Sequence, residues 1–328
     1  MTLQYKWLMF KRFRLQIRPY CEMLALQYEK SFYYFYFDAC LCYLLFGCDA
    51  QNYQSYGFWK LKMFERKRYL TTGKLLDNAK KYNDSQYLNI FSNKLNFYNY
   101  YKSYIKRKWI YGGDCSVDEI KTFLQTNGCC VVKPTNCSTG VGISKITYAE
   151  NANIEKEIQK IIKKKMLVEQ YVIQHDDLAS INPYSTNTIR VYTTNIAGEI
   201  HIYRVFLKCA SDKKVQDNFG QGGIVAEIDL ETGVVKSLGK NKKMDVYLRH
   251  PLTNYLFTGF QIPKWNEVIA LVKNIAKEIE TMRYVGWDVA ITNDYVEVIE
   301  GNNLADPIFI QVFNEGGCLM DINKILTG

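Results

Sequence analysis

Histidine is scarce, three residues in 328, and no two cysteines are spaced as C-x-x-C, so the spacings that usually assemble a zinc site are missing. Ten cysteines are present, but with Cys40 and Cys42 one residue apart and Cys129 next to Cys130 they read as buried, reduced thiols and not as a disulfide framework. No repeat, low-complexity tract or Pro-rich linker divides the chain. No Gly-Lys-Ser/Thr closes a glycine loop, which excludes a Walker P-loop. The opening residues lack the order of a secretory signal, because Lys6, Lys11, Arg12, Arg14 and Arg18 are interleaved with Trp7, Phe10, Phe13 and Leu15. No nucleic-acid motif is visible, and Lys163-Lys-Lys165 and Lys240-Asn-Lys-Lys243 read as solvated helix ends and loops.

What is present is a chain 48% hydrophobic, long enough for two or three subdomains on one body, with 42 Lys and Arg against 33 Asp and Glu. A formal net charge of +9 favours anionic partners without choosing among them. Residues 31–50 are nearly continuous in aromatic and aliphatic side chains, interrupted by Asp38. That charge and the short run argue against a span. A helix packed on the protein's own core is the first reading, and a membrane-surface element the alternative.

Up to about residue 127 the pattern is helical. Ser116-Val-Asp-Glu119 reads as a capping box opening a helix that Asn127-Gly128 stops. Short β-rich runs then follow at 129–133, 143–148, 166–172, 188–194, 200–207, 224–230, 285–292 and 295–299. Two helices interrupt them, one carrying Ile154, Ile158 and Ile161 on a single stripe, the other Val268, Val272, Ile275 and Ile279. Hairpin signals at Ala197-Gly198, Thr232-Gly233 and Asn293-Asp294 make the sheets largely antiparallel. The fold class is α+β, not doubly wound.

Four segments carry chemistry. In the first, a strand delivers Lys133 and runs into the loop 134–142, whose backbone N–H groups suit phosphate oxygens; a plain glycine hairpin would look the same. A second strand ends in Glu169-Gln170-Tyr-Val172, followed by Asp176 and Asp177; a strand end can offer its edge to a purine, and a carboxylate can hold ribose. A third pair of strands bears Arg190 and Arg204, donors for a γ-phosphate. The strongest is the hairpin 286–302. If its register pairs residues whose numbers sum to 588, Asp288 lies opposite Glu300, with Asn302 on the same face. A three-residue loop at 293–295 would give that register. Two carboxylates and an amide suit Mg²⁺ completed by water and phosphates.

The order of these elements resembles the ATP-grasp superfamily. Within it the chain looks most like the sugar-transfer-associated family, on Asn187-Thr-Ile-Arg190, Asp217-Asn-Phe-Gly-Gln-Gly-Gly223, His250-Pro251, Ile262-Pro-Lys-Trp265, Gly286-Trp-Asp288 and Glu300-Gly-Asn302. The resemblance implies two α+β subdomains clasping ATP, here behind a helical N-terminal region: residues 1–90 helical, membrane-peripheral or acceptor-binding, 91–175 central, 176–328 C-terminal. It implies ATP phosphates on Lys94 and Lys133, a phosphate loop with Ser138, Thr139, Gly140 and Gly142, and an adenine-side hinge at Glu169, Gln170 and Val172. Ribose would meet Asp176 or Asp177. Arg190 and Arg204 would face the γ-phosphate, Asp217 and Asn218 the acceptor, and Asp288, Glu300 and Asn302 the magnesium. One departure is Leu207-Lys208-Cys209, where a strand arginine followed by glycine is expected; it leaves the role of a second basic group open.

The activity implied is a carboxylate–amine ligase working through an acyl phosphate on a sugar acid or precursor for surface polysaccharide such as capsule. Its cofactors would be ATP and Mg²⁺, its substrates free or sugar-linked acids and amines, its associates glycosyltransferase machinery. Its place would be the cytoplasm or the inner face of the membrane. The alternatives are a sugar or polyol kinase on the same fold and a nucleotide-binding partner of a glycosyltransferase without turnover.

Overall fold

A computed structural model describes residues 3–136, 142–150, 153–213, 219, 222–313 and 316–327. They fall into two compact units, one of Met1–Tyr82 with Asp306–Gly328, the other Asn83–Ala305. The division differs from the one read in the sequence at both ends. Residues 306–328 join the N-terminal helices and not the last sheet, and the boundary falls at 82 instead of 90.

The first unit is helical. Its helix Leu3–Gln27 buries Phe13, Ile17, Cys21 and Leu24, and its helix Phe32–Phe46 buries Phe35, Ala39, Cys42 and Phe46, the spacing of a single apolar stripe on each. The rings of Phe10 and Phe13 pack on Tyr43 between them. Asp38 is turned inward. Arg66 closes on it as a fork, 2.7 and 3.1 Å to its two oxygens, and Tyr53 donates at 2.9 Å.

The second unit holds two antiparallel sheets. The strands are β1 (Trp109–Tyr111), β2 (Cys129–Lys133), β3 (Ser144–Thr147), β4 (Leu167–Gln170), β5 (Thr188–Ile196), β6 (Glu199–Cys209), β7 (Ile224–Glu227), β8 (Gly239–Asn241), β9 (Val246–Tyr247), β10 (Tyr284–Ile291) and β11 (Val296–Asn302). One sheet runs β1-β4-β2-β3, the other β11-β10-β5-β6-β7-β8-β9. The eight runs read from sequence all form strands. β1 lies inside the stretch read as helical, since three residues are too few to show a period. The capping box stands as read, Ser116 and Glu119 each satisfying the other's backbone N–H at the start of the helix Val117–Asn127.

Alternation divides the seven-stranded sheet into two unlike faces. Ile189, Val191, Val205, Leu207, Trp287 and Val289 belong to one core cluster with Val268, Val272 and Ile275 of the helix Trp265–Lys277. The opposite face carries Arg190, Lys208, Asp288 and Glu300, and this polar face is where the chemistry lies.

The hairpin of β10 and β11 reaches its register by an unexpected route. Ile291 pairs with Val296 and Val289 with Val298, yet Asp288 pairs with Glu300. Ile299 is therefore an extra residue, a β-bulge. Four residues separate the strands, not three, and the bulge supplies the shift that brings Asp288 and Glu300 opposite one another.

Candidate functional site

Asp288 is flanked across the sheet by Arg190 on β5 and Glu300 on β11. Arg190 grips the carboxylate as a fork, Nε 2.5 Å from Oδ1 and Nη2 2.8 Å from Oδ2, while Lys208 from β6 brings Nζ to 3.0 Å from Oδ2. All three side chains are buried. Burial alone would raise the carboxyl pKa, but Arg190 and Lys208 outweigh it and hold Asp288 well below its ordinary value. Gly286 makes room on the same face. A Cβ there would stand 3.3 Å from Arg190 Cδ and 2.6 Å from the Ala305 Cβ, so any larger residue would push the guanidinium aside. Next along β11, Asn302 Nδ2 donates to Glu300 Oε1 at 3.3 Å.

A second charged cluster ties the four-stranded sheet to β11. Glu169 on β4 receives Lys133 Nζ at 2.8 Å and Arg107 Nε at 2.8 Å, and Arg107 Nη1 reaches Glu297 at 2.9 Å. Tyr98, from the helix Lys94–Tyr100, donates to Glu169 and accepts from Lys133 at 2.7 Å. Burial opposes the charge on Glu169, yet Arg107 and Lys133 draw its carboxyl down to about 2. For Lys133 burial wins, helped by repulsion from Arg107 and Lys94, and its ammonium sits below the usual lysine value despite the ion pair with Glu169.

The remaining candidates are scattered by comparison. Lys94 opens its helix with its N–H on the Thr135 carbonyl at 2.8 Å, at the base of the small-residue loop. Of that loop, Gly142 has φ +79°, and Ser138, Thr139 and Gly140 lie outside the described residues, as do Asp217 and Asn218. Glu169 and Gln170 do not offer a bare strand edge. β4 is interior to its sheet, Trp109 pairing with Glu169 on one side and Val131 on the other, and the Gln170 N–H is spent on the Lys108 carbonyl. β1, invisible in the sequence, covers that edge. Val172 is buried, and Asp176 and Asp177 are exposed in the first turn of the short helix Asp176–Ile181. Arg204 pairs with Glu227 on β7, and the cation that joins Arg190 on Asp288 is Lys208.

Three groups were given no role from the sequence. Lys208 registered only as a departure from a pattern, although its period-two spacing from Arg204 puts both on one face of β6. Arg107 lay hidden in the basic run 106–108. His250, buried, places Nε2 2.8 Å from the Ala210 carbonyl, and Asn182 Nδ2 donates to the same carbonyl at 2.9 Å and to that of Asp212 at 3.2 Å, so together they pin the chain leading towards residue 217.

Among the described residues no group of three His, Cys, Asp or Glu side chains is placed to hold a metal. The set here is two carboxylates and an amide. All are oxygen donors from neighbouring strand positions, the chemistry Mg²⁺ takes, whereas zinc sites draw mainly on Cys and His.

The profile of the sugar-transfer associated ATP-grasp family matches residues 77–326. The chain belongs to this family. Its members' fold, ATP-grasp, accounts for the two antiparallel sheets. Solved ATP-grasp structures resemble it distantly. The ligase PsnB complexed with its minimal precursor aligns at TM-score 0.46 and 13% identity, over 81% of this chain and 70% of that one. D-alanyl-alanine synthetase A from Vibrio cholerae O1 biovar eltor gives 0.44 and 15%, over 73% and 65%. N5-carboxyaminoimidazole synthetase from Staphylococcus aureus gives 0.44 and 13%, over 71% and 51%, so the chain spans about half of that enzyme. Likeness at this level carries no argument about substrate or chemistry. No curated protein matches the sequence.

Proposed function

We propose that this ATP-grasp chain is an ATP- and Mg²⁺-dependent ligase that joins a carboxylate to an amine through an acyl phosphate. The observation that carries the reading is the Arg190–Asp288–Lys208 cluster, with Arg190, Asp288 and Glu300 in one row and Asn302 next to them on the polar face of the sheet. In the reaction the substrate carboxylate attacks the γ-phosphorus of ATP and ADP leaves. The amine then attacks the acyl carbon, and phosphate departs as the amide forms. No enzyme nucleophile is needed, so positioning and charge do the work.

Asp288, Glu300 and Asn302 would hold Mg²⁺, which when bound neutralises β- and γ-phosphate charge. Arg190 and Lys208 keep Asp288 ionised and oriented, and are the cations for the phosphoryl group in flight. Lys133 spends two of its three N–H donors on Glu169 and Tyr98, leaving the third for a phosphate, with Lys94 beside it. The loop 217–223 would meet the acceptor, and Asp176 or Asp177 the ribose. The family's description, sugar-transfer associated, supports a sugar-linked substrate, and the reading we take is a sugar acid or its precursor in polysaccharide assembly, with glycosyltransferase machinery as associate.

The test is nucleotide release with panels of uronic acids, amino acids and amino sugars, followed by mass spectrometry of the product. ADP and free phosphate in step, both dependent on acid and amine together, are expected. ADP with a stable phosphorylated product would make the chain a kinase, AMP with pyrophosphate an adenylating enzyme, and no release with any pair a binding protein.

A further inference from the structure

The two longest helices of the N-terminal unit carry apolar side chains on the side away from their core. On Leu3–Gln27, half a turn from buried Ile17 and Leu24, Leu15 and Leu26 are 67% and 84% exposed; on Phe32–Phe46, opposite Phe35 and Cys42, Phe37 and Leu44 are 65% and 68% exposed. The only charge of the second helix, Asp38, is taken by Arg66, so its outward face, Phe37, Leu41, Leu44 and Leu45 with Tyr33 and Tyr34, is uncharged. Exposed aliphatic and aromatic side chains lined up in this way mark a covered surface.

The charge around that surface is positive. Exposed Lys11, Arg12, Arg14 and Arg18 lie on the first helix. Arg14 Nε donates to the Tyr36 hydroxyl at 2.5 Å and the Arg18 guanidinium stands 5.9 Å from the centre of the Phe32 ring. Among the described side chains the one acid of that helix is Glu22, paired with Arg18 at 3.1 Å.

We infer that this helix pair docks in the plane of an anionic membrane surface. Basic residues flanking an apolar face with interfacial aromatics are what a headgroup boundary accepts. The second helix, fifteen residues or about 22 Å long, falls short of a roughly 30 Å hydrocarbon core, and no described helix is long and apolar enough to cross a membrane. A second copy of the chain is the poorer occupant. A two-fold contact through this face would set its basic residues against their own copies.

The experiment is sedimentation of the full chain with vesicles of phosphatidylcholine alone or with about a third phosphatidylglycerol. Binding to the anionic vesicles is expected, weakening as salt rises from about 0.1 M to about 1 M and the screening length shrinks from about 10 to 3 Å. Phe37→Ser with Leu44→Ser should weaken it about tenfold or more, and Lys11→Glu with Arg12→Glu at least roughly fivefold. Melting temperature and nucleotide turnover in solution should stay unchanged in both. No binding at low salt, or undiminished binding by both variants, overturns the inference. So does a dimer in light scattering that Phe37→Ser with Leu44→Ser dissolves, since a second copy would then cover the face.

Discussion

Glu169 and Asp288 are both buried carboxylates held by one arginine and one lysine, and they part company at the next neighbour. Behind Glu169, Arg107 goes on to Glu297, which also takes the backbone N–H groups of residues 106 and 107 at 2.8 and 3.1 Å. Two cations meet two anions, and the cluster locks β4, β2 and β11 together. Around Asp288 the second acid, Glu300, stands across the ladder instead. Arg190 and Lys208 converge on one carboxylate, while Glu300 is bonded by the amide of Asn302. A buried ion cluster that also takes backbone N–H groups from another element is a fastening; one whose second acid lies beside an amide on the polar face offers its oxygens to a metal.

That contrast can be broken most directly by amide substitution. Asp288→Asn should lower acceptor-dependent ADP release by about two to three orders of magnitude with the native circular-dichroism spectrum kept. Glu169→Gln strands Arg107 and Lys133 without their carboxylate and should cost about 3 kcal/mol of stability, seen as a fall of roughly 10 °C in melting temperature. If Asp288→Asn unfolded the chain while Glu169→Gln lost turnover alone, the two roles would be exchanged.

Acid separates the clusters in a second way. Glu169 ionises at about 2 in the fold against an ordinary 4.5, so its contribution is full above about 4.5 and is lost as pH falls from there to about 2. The shift corresponds to about 3 kcal/mol. Stability measured by denaturant between these pH values should drop steeply for the natural chain, and less steeply for Glu169→Gln. An unchanged slope would mean that Glu169 is not the group being titrated.

The smallest effect is expected at Arg204, whose partner is Glu227 at the margin of the polar face. Arg204→Ala should cost less than about 1 kcal/mol in stability and change turnover less than about threefold. A loss as large as that of Asp288→Asn would return Arg204 to the phosphate.

Strand residues with a period of two were legible because alternation groups them on one face, although the bulge at Ile299 that sets Glu300 opposite Asp288 was not read. Asp288, Glu300, Asn302 and Arg190 were gathered from sequence on that ground. Contacts between sheets were not. Nothing local ties Arg107 to Glu297, 190 residues away in the chain, and β1 is too short to announce itself, so the covering of β4 went unread. The placement of 306–328 with the N-terminal helices depends on contacts such as the Leu70 N–H on Gln311 Oε1 at 3.2 Å, which leave no mark in composition.

Ile299 has consequences that its side chain does not explain. In a ladder that ran on through Ile299 without a bulge, Asp288 would stand opposite position 299, and Glu300 would pair with Trp287 on the side of the helix Trp265–Lys277. Only Ile299 lies between Val298 and Glu300, and its loss would leave Glu300 directly after Val298, opposite Asp288 and still on the polar face. At position 299 almost any strand-compatible residue will serve, because no residue of β10 is paired with it.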